Sequence, residues 1–458
     1  MNVAISNIAI DLHTSVTGVQ TAITLFTLTM AALMIPGSKL TDIWGRKRCF
    51  LIGLTVYGLG AFVAALSQGI TLLIIGYSIL EGIGSSLMIP PIYILVTVAY
   101  SDLRSRAKAF GIVSAMAGVG AAAGPLIGGV ITSAISWRAS FLLQVVVVAA
   151  ILFLGRAIVD KGTYSEKIKF DFLGSVLSAL GLILIVIGIL QAKIYGWFVN
   201  KEPFTVAGIQ LIPVGGISAI WIFIILGLIM LALFFLHARR LEKHGQNPLL
   251  STRLFLSRTS NLGLITQNIQ WLILMGSSFV VSVFLQVVRG FSAIETGLIL
   301  TPATIGILLS SISSGRFAAR RSQRFLIRTG FITTIAGIAL LLLFANATSN
   351  VITFVPGLFV MGFGIGVMLT ASVNVVQSSF PEKDQGEISG LSRSVSNLGS
   401  SLGTAIVGTV LVSAIAVGNM AYGYALITMI VIGACGLLAS LFLPGNPAPS
   451  FSEGEKQS

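Results

Sequence analysis

Thirteen nearly unbroken apolar runs dominate this chain, at residues 18–36, 49–67, 71–98, 109–134, 139–157, 172–191, 216–236, 262–287, 294–315, 326–345, 351–375, 394–416 and 421–443. Each is long enough to cross roughly 30 Å of hydrocarbon as a helix. Residues 1–10 are apolar too, but only half that length, so the chain is expected to begin inside its first helix. No basic segment and no small-residue cleavage site precedes it, which argues against a signal peptide. Only 9% of the 458 residues are charged, against about 25% in a water-soluble domain. Lipid is the solvent such a surface fits.

The net charge of +13 is not spread evenly. If the start is cytoplasmic and successive runs alternate sides, 24 of the 28 Lys and Arg fall on the cytoplasmic side, leaving Arg138, Lys193, Lys201 and Arg289 outside. That asymmetry follows the positive-inside rule and places both termini in the cytoplasm. It also removes nucleic acid as the reason for the basic balance. Cys49 and Cys435 sit in or beside apolar runs and suggest neither a disulfide framework nor a metal site.

The sequence repeats itself. Gly37 and Gly315 each leave a helix into a basic loop, 278 residues apart. Gly82 and Gly84 match Gly362 and Gly364 at an offset of 280, and Gly111, Gly120 and Gly124 match Gly390, Gly399 and Gly403 at 279. Ordered landmarks at near-constant offset imply two homologous six-helix halves, the arrangement of transporters that rock two bundles about a central site. The offset leaves room for an inserted helix pair, roughly 172–236.

Two motifs stand out. The first loop reads Gly37-Ser38-Lys39-Leu40-Thr41-Asp42-Ile43-Trp44-Gly45-Arg46-Lys47-Arg48. Glycine allows a tight turn there, and Asp42 amid cations can form charge-assisted pairs; a plain positive-inside anchor is the simpler alternative. The other run is Gly120-Ala121-Ala122-Ala123-Gly124-Pro125-Leu126-Ile127-Gly128-Gly129. Its glycines at i, i+4 and i+8 make a flat stripe on one helix face, suited to close packing, and Pro125 can kink that helix.

The loop motif closely resembles G-x-L-x-D-x-x-G-R-K/R, the signature of the major facilitator superfamily, where it acts as a conformational latch through positions corresponding to Gly37, Asp42, Gly45, Arg46 and Lys47. The glycine run is similar to the antiporter motif G-x-x-x-G-P-x-x-G-G of facilitator-family exporters, carried here by Gly120, Gly124, Pro125, Gly128 and Gly129. Asn2-Val3-Ala4 to Asp11-Leu12, Phe170-Asp171 with Gly174, Asn247-Pro248-Leu249-Leu250, Phe284-Leu285-Gln286 and Phe380-Pro381 follow the order of landmarks in the fourteen-helix drug:proton antiporters. Two departures matter. That family carries an Asp just before the position of Asn2, and its fourth helix reads R-x-x-Q-G-x-G where this chain has Ser78, Glu81, Gly82 and Gly84. The usual Arg-based coupling does not carry over.

Glu81 is the deepest carboxylate in any expected span. A charge at mid-membrane costs about 3 kcal/mol or more, so this group should face a cavity or a partner, or hold a proton. Its counterpart in the second half is Met361. It is expected to bind a proton or a cationic substrate; the plainer alternative is a protonated Glu that only bonds a neighbouring helix. Gln144, Gln267, Asn268 and Asn374, with Gln270 and Gln377, could line a substrate path or serve as interhelical glue. His237 and His244 are expected to be solvated loop residues.

These readings combine into an all-α membrane protein of the major facilitator fold, with two six-helix bundles plus two inserted helices. Its expected parts are an N-terminal bundle at 1–157, the inserted pair with its linkers at 158–258, a C-terminal bundle at 259–443, and a cytoplasmic tail at 444–458. The resemblance implies a monomeric, multi-pass cell-membrane protein that exports small amphipathic or cationic compounds in exchange for protons. No phosphate-cradling loop, catalytic set or cofactor motif is present in the sequence, so no cofactor and no enzymatic activity is expected. A metabolite importer or uniporter of the same fold, or a transport-inactive membrane sensor, would carry much of the same pattern.

Overall fold

The computed structural model describes residues 1–99, 120, 124–157, 170–206, 209–380, 385–413 and 419–444. Part of the expected span 109–134, residues 445–458 of the expected tail and several basic loop positions lie outside them.

Among the described residues, 12 helices are long and apolar enough to cross a membrane. Helix α1 (Ile5–Asp11) is followed by α2 (Val16–Trp44), α3 (Arg46–Ala65) and α4 (Ile70–Leu73). A π-helical segment, Ile74–Glu81, carries α4 without a break into α5 (Gly82–Ala99). Then come α6 (Gly124–Ala134) and α7 (Trp137–Gly155). The inserted pair is α8 (Phe172–Leu190), extended by the short α9 (Ala192–Tyr195), and α10 (Ile220–Lys243). Between them lies a hairpin of β1 (Phe204–Val206) and antiparallel β2 (Ile209–Ile212). The second half consists of α11 (Arg258–Val283) with a π-helical end Phe284–Val288, α12 (Ala293–Arg320), α13 (Gln323–Phe344), α14 (Phe354–Gln377), α15 (Gln385–Ser413) and α16 (Asn419–Leu441).

Local chemistry sets the helix starts. Ser15, Asp171, Ser257 and Ser322 each accept a hydrogen bond from the backbone N–H three residues on, satisfying one free donor of the first turn. Gly45 ends α2 with φ +97°, a conformation that a Cβ resists, and lets α3 start at Arg46. Large apolar side chains stand exposed on the peripheral helices, among them Val146, Phe153, Leu228 and Leu236. In water such a belt would drive aggregation. Here it is the lipid-facing surface of a multi-pass membrane protein.

The repeat read from the sequence is a repeat in packing. In the first half, a Cβ on Gly84 would come within 2.5 Å of the Tyr57 backbone nitrogen and within 2.7 Å of the Gly53 carbonyl. In the second half, one on Gly364 would come within 2.6 Å of the Thr334 nitrogen and within 2.7 Å of the Gly330 carbonyl. Gly60 meets the backbone of Glu81 as Gly337 meets that of Met361. The α3/α5 contact is therefore rebuilt as α13/α14, with backbones close enough to exclude any side chain.

Gly60→Ala should cost about 1–3 kcal/mol through overpacking, seen as a lower thermal midpoint in detergent. Gly69→Ala has extended backbone and open space around it, and should leave the midpoint unchanged.

Candidate functional site

Glu81 closes the π-helical segment, and only 1% of its surface is exposed. A π-turn adds one residue to the helical period and re-aims the side chains beyond it, which is why such turns concentrate at functional positions. The Glu81 carboxyl interacts with the Tyr57 hydroxyl, while its Oε1 has no hydrogen-bond partner among the described residues. Tyr57 in turn donates to Gln144 Oε1 at 2.6 Å. With the hydroxyl's single proton committed to Gln144, the face it offers Glu81 is a lone pair, which a protonated carboxyl can meet by donating. Tyr77, stacked on Phe26 with centroids 4.6 Å apart and edge-on to Phe141 at 5.8 Å, belongs to the same apolar neighbourhood. Ser78, at the family's Arg position, donates to the Ala22 carbonyl at 2.7 Å and ties the segment to α2.

The other polar candidates separate. Gln144 joins the Glu81 group. Gln267 bonds Ser392 and Ser396, and Asn268 bonds the Val395 carbonyl, so both fasten α11 to α15. Gln270 donates to the Ile365 carbonyl at 3.4 Å, with its Oε1 left without a partner among the described residues. Asn374 is exposed near the end of α14.

Of the loop motif, Gly37 lies against the Ser86 carbonyl, Asp42 lines a narrow pocket with Lys39 and Glu387, and Lys47 donates to the Arg156 carbonyl at 2.8 Å. Arg46 opens α3. The glycine stripe lies partly outside the described residues, which cover Gly120 and residues from Gly124 onward. A Cβ on Gly120 or Gly124 would meet no described atom within 4 Å, and one on Gly128 would only touch Val3 at 3.4 Å. Gly129 is the tight position, 2.7 Å from the Ala293 carbonyl, and Gly297 answers it 2.6 Å from the Pro125 carbonyl.

Among the described residues, hydrogen bonds and close glycine contacts join the halves at three helix pairs. At the face opposite the basic loops, α6 meets α12 through Gly129, Gly297 and a bond from the Ile294 N–H to Ser133 at 3.1 Å. Beside them α1 meets α11. There Gln286 accepts from the Ser6 N–H at 3.0 Å and donates to the Asn2 carbonyl at 2.9 Å. The third pair, α2 and α15, runs from Gln20 (to the Thr404 carbonyl, 2.9 Å) through Ser401 (to the Thr24 carbonyl, 3.1 Å) to the Lys39–Glu387 ion pair at 3.4 Å. Nothing in the sequence singles out Gln20, and Gln286 stands out only as part of a family landmark. Their bridging depends on which helices face one another, which an isolated polar residue does not reveal.

Two expectations are corrected. Neither Gly37 nor Gly315 leaves its helix: α2 runs on through Gly37 and Asp42 to Trp44, α12 runs through Gly315 to Arg320, and the turn of the first motif is made at Gly45. His237 is not solvated: it is paired with Asp171 at 2.9 Å, because the inserted helices bring the end of α10 beside the start of α8. His244 is exposed, as expected.

Comparison with known proteins decides the family. The model of the Major Facilitator Superfamily matches residues 1–199 and 204–404. The chain belongs to this superfamily. It is a facilitator-type transporter and not an enzyme. The multidrug resistance protein Stp of Mycobacterium tuberculosis is 26% identical over 411 residues, covering 90% of this chain and 72% of that one. The tetracenomycin C resistance and export protein of Streptomyces glaucescens is 27% identical over 415 residues, with coverage of 90% and 72%. A crystal structure of the human organic anion transporter MFSD10 (TETRAN) shares the facilitator fold at a TM-score of 0.57 and 12% identity, covering 96% of this chain and 89% of that one.

Gln286→Leu leaves the Ser6 N–H and the Asn2 carbonyl without their partner. It should raise the alkylation rate of a Ser6→Cys reporter about tenfold, the scale of a lost buried hydrogen bond. An unchanged rate would mean that this pair does not hold the α1/α11 seam closed.

Proposed function

We propose that this chain is an efflux transporter that moves small amphipathic or cationic compounds out of the cell in exchange for protons, with its basic loops and both termini in the cytoplasm. The observation that carries this reading is Glu81: a carboxyl 1% exposed, one oxygen without a partner among the described residues, beside a tyrosine hydroxyl whose proton points elsewhere. A group so placed is stable in lipid when protonated and must find water or a cation when ionised. Opening of the bundles supplies the water. Rotation of the Tyr57 proton from Gln144 toward Glu81 supplies a donor for the carboxylate in the interval. One proton is thus held while the site is sealed and released when it opens.

The outward direction is supported by the names of the relatives, which describe multidrug resistance and export, and by the antiporter-type run from Gly120 to Gly129. Residues 1–157 and 259–443 would be the two rocking bundles, with 158–258 inserted between them. Gly37, Asp42, Gly45, Arg46 and Lys47, at the turn from α2 to α3, would stabilise one of the two states.

Everted vesicles test the proposal, with dissipation of a preset ΔpH on adding a cationic dye as the measurement. Glu81→Gln should abolish dye-driven proton movement while the protein still inserts and binds dye. Tyr57→Phe should slow it about tenfold, the scale of one lost hydrogen bond to a charged group. Full dye-driven proton movement in Glu81→Gln would remove the residue from this role.

A further inference from the structure

The inserted helices are fastened to the seam between the bundles through a short stretch of chain. At the start of α8, Asp171 accepts from Gly174, from His237 at the end of α10, and from the Leu249 N–H at 3.1 Å. Near the end of α10, Glu242 accepts from the Thr252 N–H at 2.7 Å and from the hydroxyls of Thr252 and Ser251. Residues 249–252 are thus held at both ends by carboxylates of the inserted pair. Between those anchors, the Ser251 N–H donates to Glu387 Oε2 at 3.2 Å, while Glu387 Oε1 faces Lys39 at 3.4 Å. One carboxylate on α15 therefore receives α2 with one oxygen and the inserted pair's linker with the other.

Apolar packing follows the same path. Leu249 and Leu250, 1% and 2% exposed, pack in a cluster with Phe234 of α10, Leu264 of α11, Val376 of α14, and Ile388 and Leu391 of α15, and Ile35 of α2 packs against it. Leu249 also lines the narrow pocket between α2 and α15 that holds Lys39, Asp42 and Glu387.

We propose that residues 249–252 are a strap by which the inserted helices hold the α2/α15 seam closed at the basic face, so that opening there requires release of Glu387 by Ser251. The inserted pair is then a working part of the gate rather than a peripheral spacer. The strap bonds Glu387 through a main-chain N–H, so it adds an attachment without adding a charge that would need its own counterion. The inference goes beyond the exchange mechanism, and its test reads seam opening rather than proton movement.

Ser251 permits a clean test. Its φ of −69° lies in proline's range, so Ser251→Pro removes the N–H with little change of backbone angle. Ser251→Ala keeps that N–H and loses only the hydroxyl. In a Cys435→Ser background, Ile35→Cys reports opening by its alkylation with a small permeant maleimide. Ser251→Pro should alkylate about tenfold faster than Ser251→Ala. Equal rates in two folded, monodisperse variants would overturn the strap. If Ser251→Pro does not fold, the pair Asp171→Asn with Glu242→Gln, neither bonded to α2 nor to α15, takes its place: a faster rate supports the strap, and an unchanged one overturns it.

Discussion

Hydrocarbon offers no hydrogen bonds, so every polar group within the span must find its partner in protein. Helices answer this for the backbone, and the remaining structure answers it for side chains. Some helix contacts are backbone against backbone at glycine, as at Gly84 against Tyr57 and Gly364 against Thr334. Others are made by polar side chains: Gln20, Gln286, Ser394 and Ser401 each reach a carbonyl or N–H across a seam. At Glu81 the requirement is only half met, because one carboxyl oxygen has no partner among the described residues.

Magnitudes explain why both kinds of contact are present. A hydrogen bond between membrane helices contributes on average about 0.6 kcal/mol, because the separated helices find other partners. A few such bonds along each seam bias closure without making it permanent. The same logic suits the strap at Glu387, where one main-chain donor adds to the Lys39 pair. Close glycine contacts resist substitution, at about 1–3 kcal/mol for an added methyl; they occur inside each half and also in the α6/α12 seam, at Gly129 and Gly297.

Much of this fold is legible in the sequence, because its two strongest signals are collective. Spans come from apolar runs of about 20 residues, and the duplication from several glycines at one offset. Pairings are harder. Nothing around Glu81 marks a π-segment, since the extra residue in the turn changes no composition, and Tyr57 lies on another helix 24 residues earlier. Gln267 and Asn268 have the composition of cavity residues and instead fasten α11 to α15, whereas Gln286, notable only as a landmark, bridges α1 and α11.

The duplicated scaffold makes the single acid informative. Tyr57 and Glu81 lie where the second half has Thr334 and Met361, and in both halves the backbones meet at matching glycines. If helix packing alone required a carboxyl at that point, the second half would need one too. It packs the same way around Met361, 4% exposed, and Thr334, fully buried. Packing therefore tolerates an apolar side chain there. A carboxyl that packing does not need, kept where its ionised form costs several kcal/mol, fits the role proposed for it when the bundles part and water reaches it.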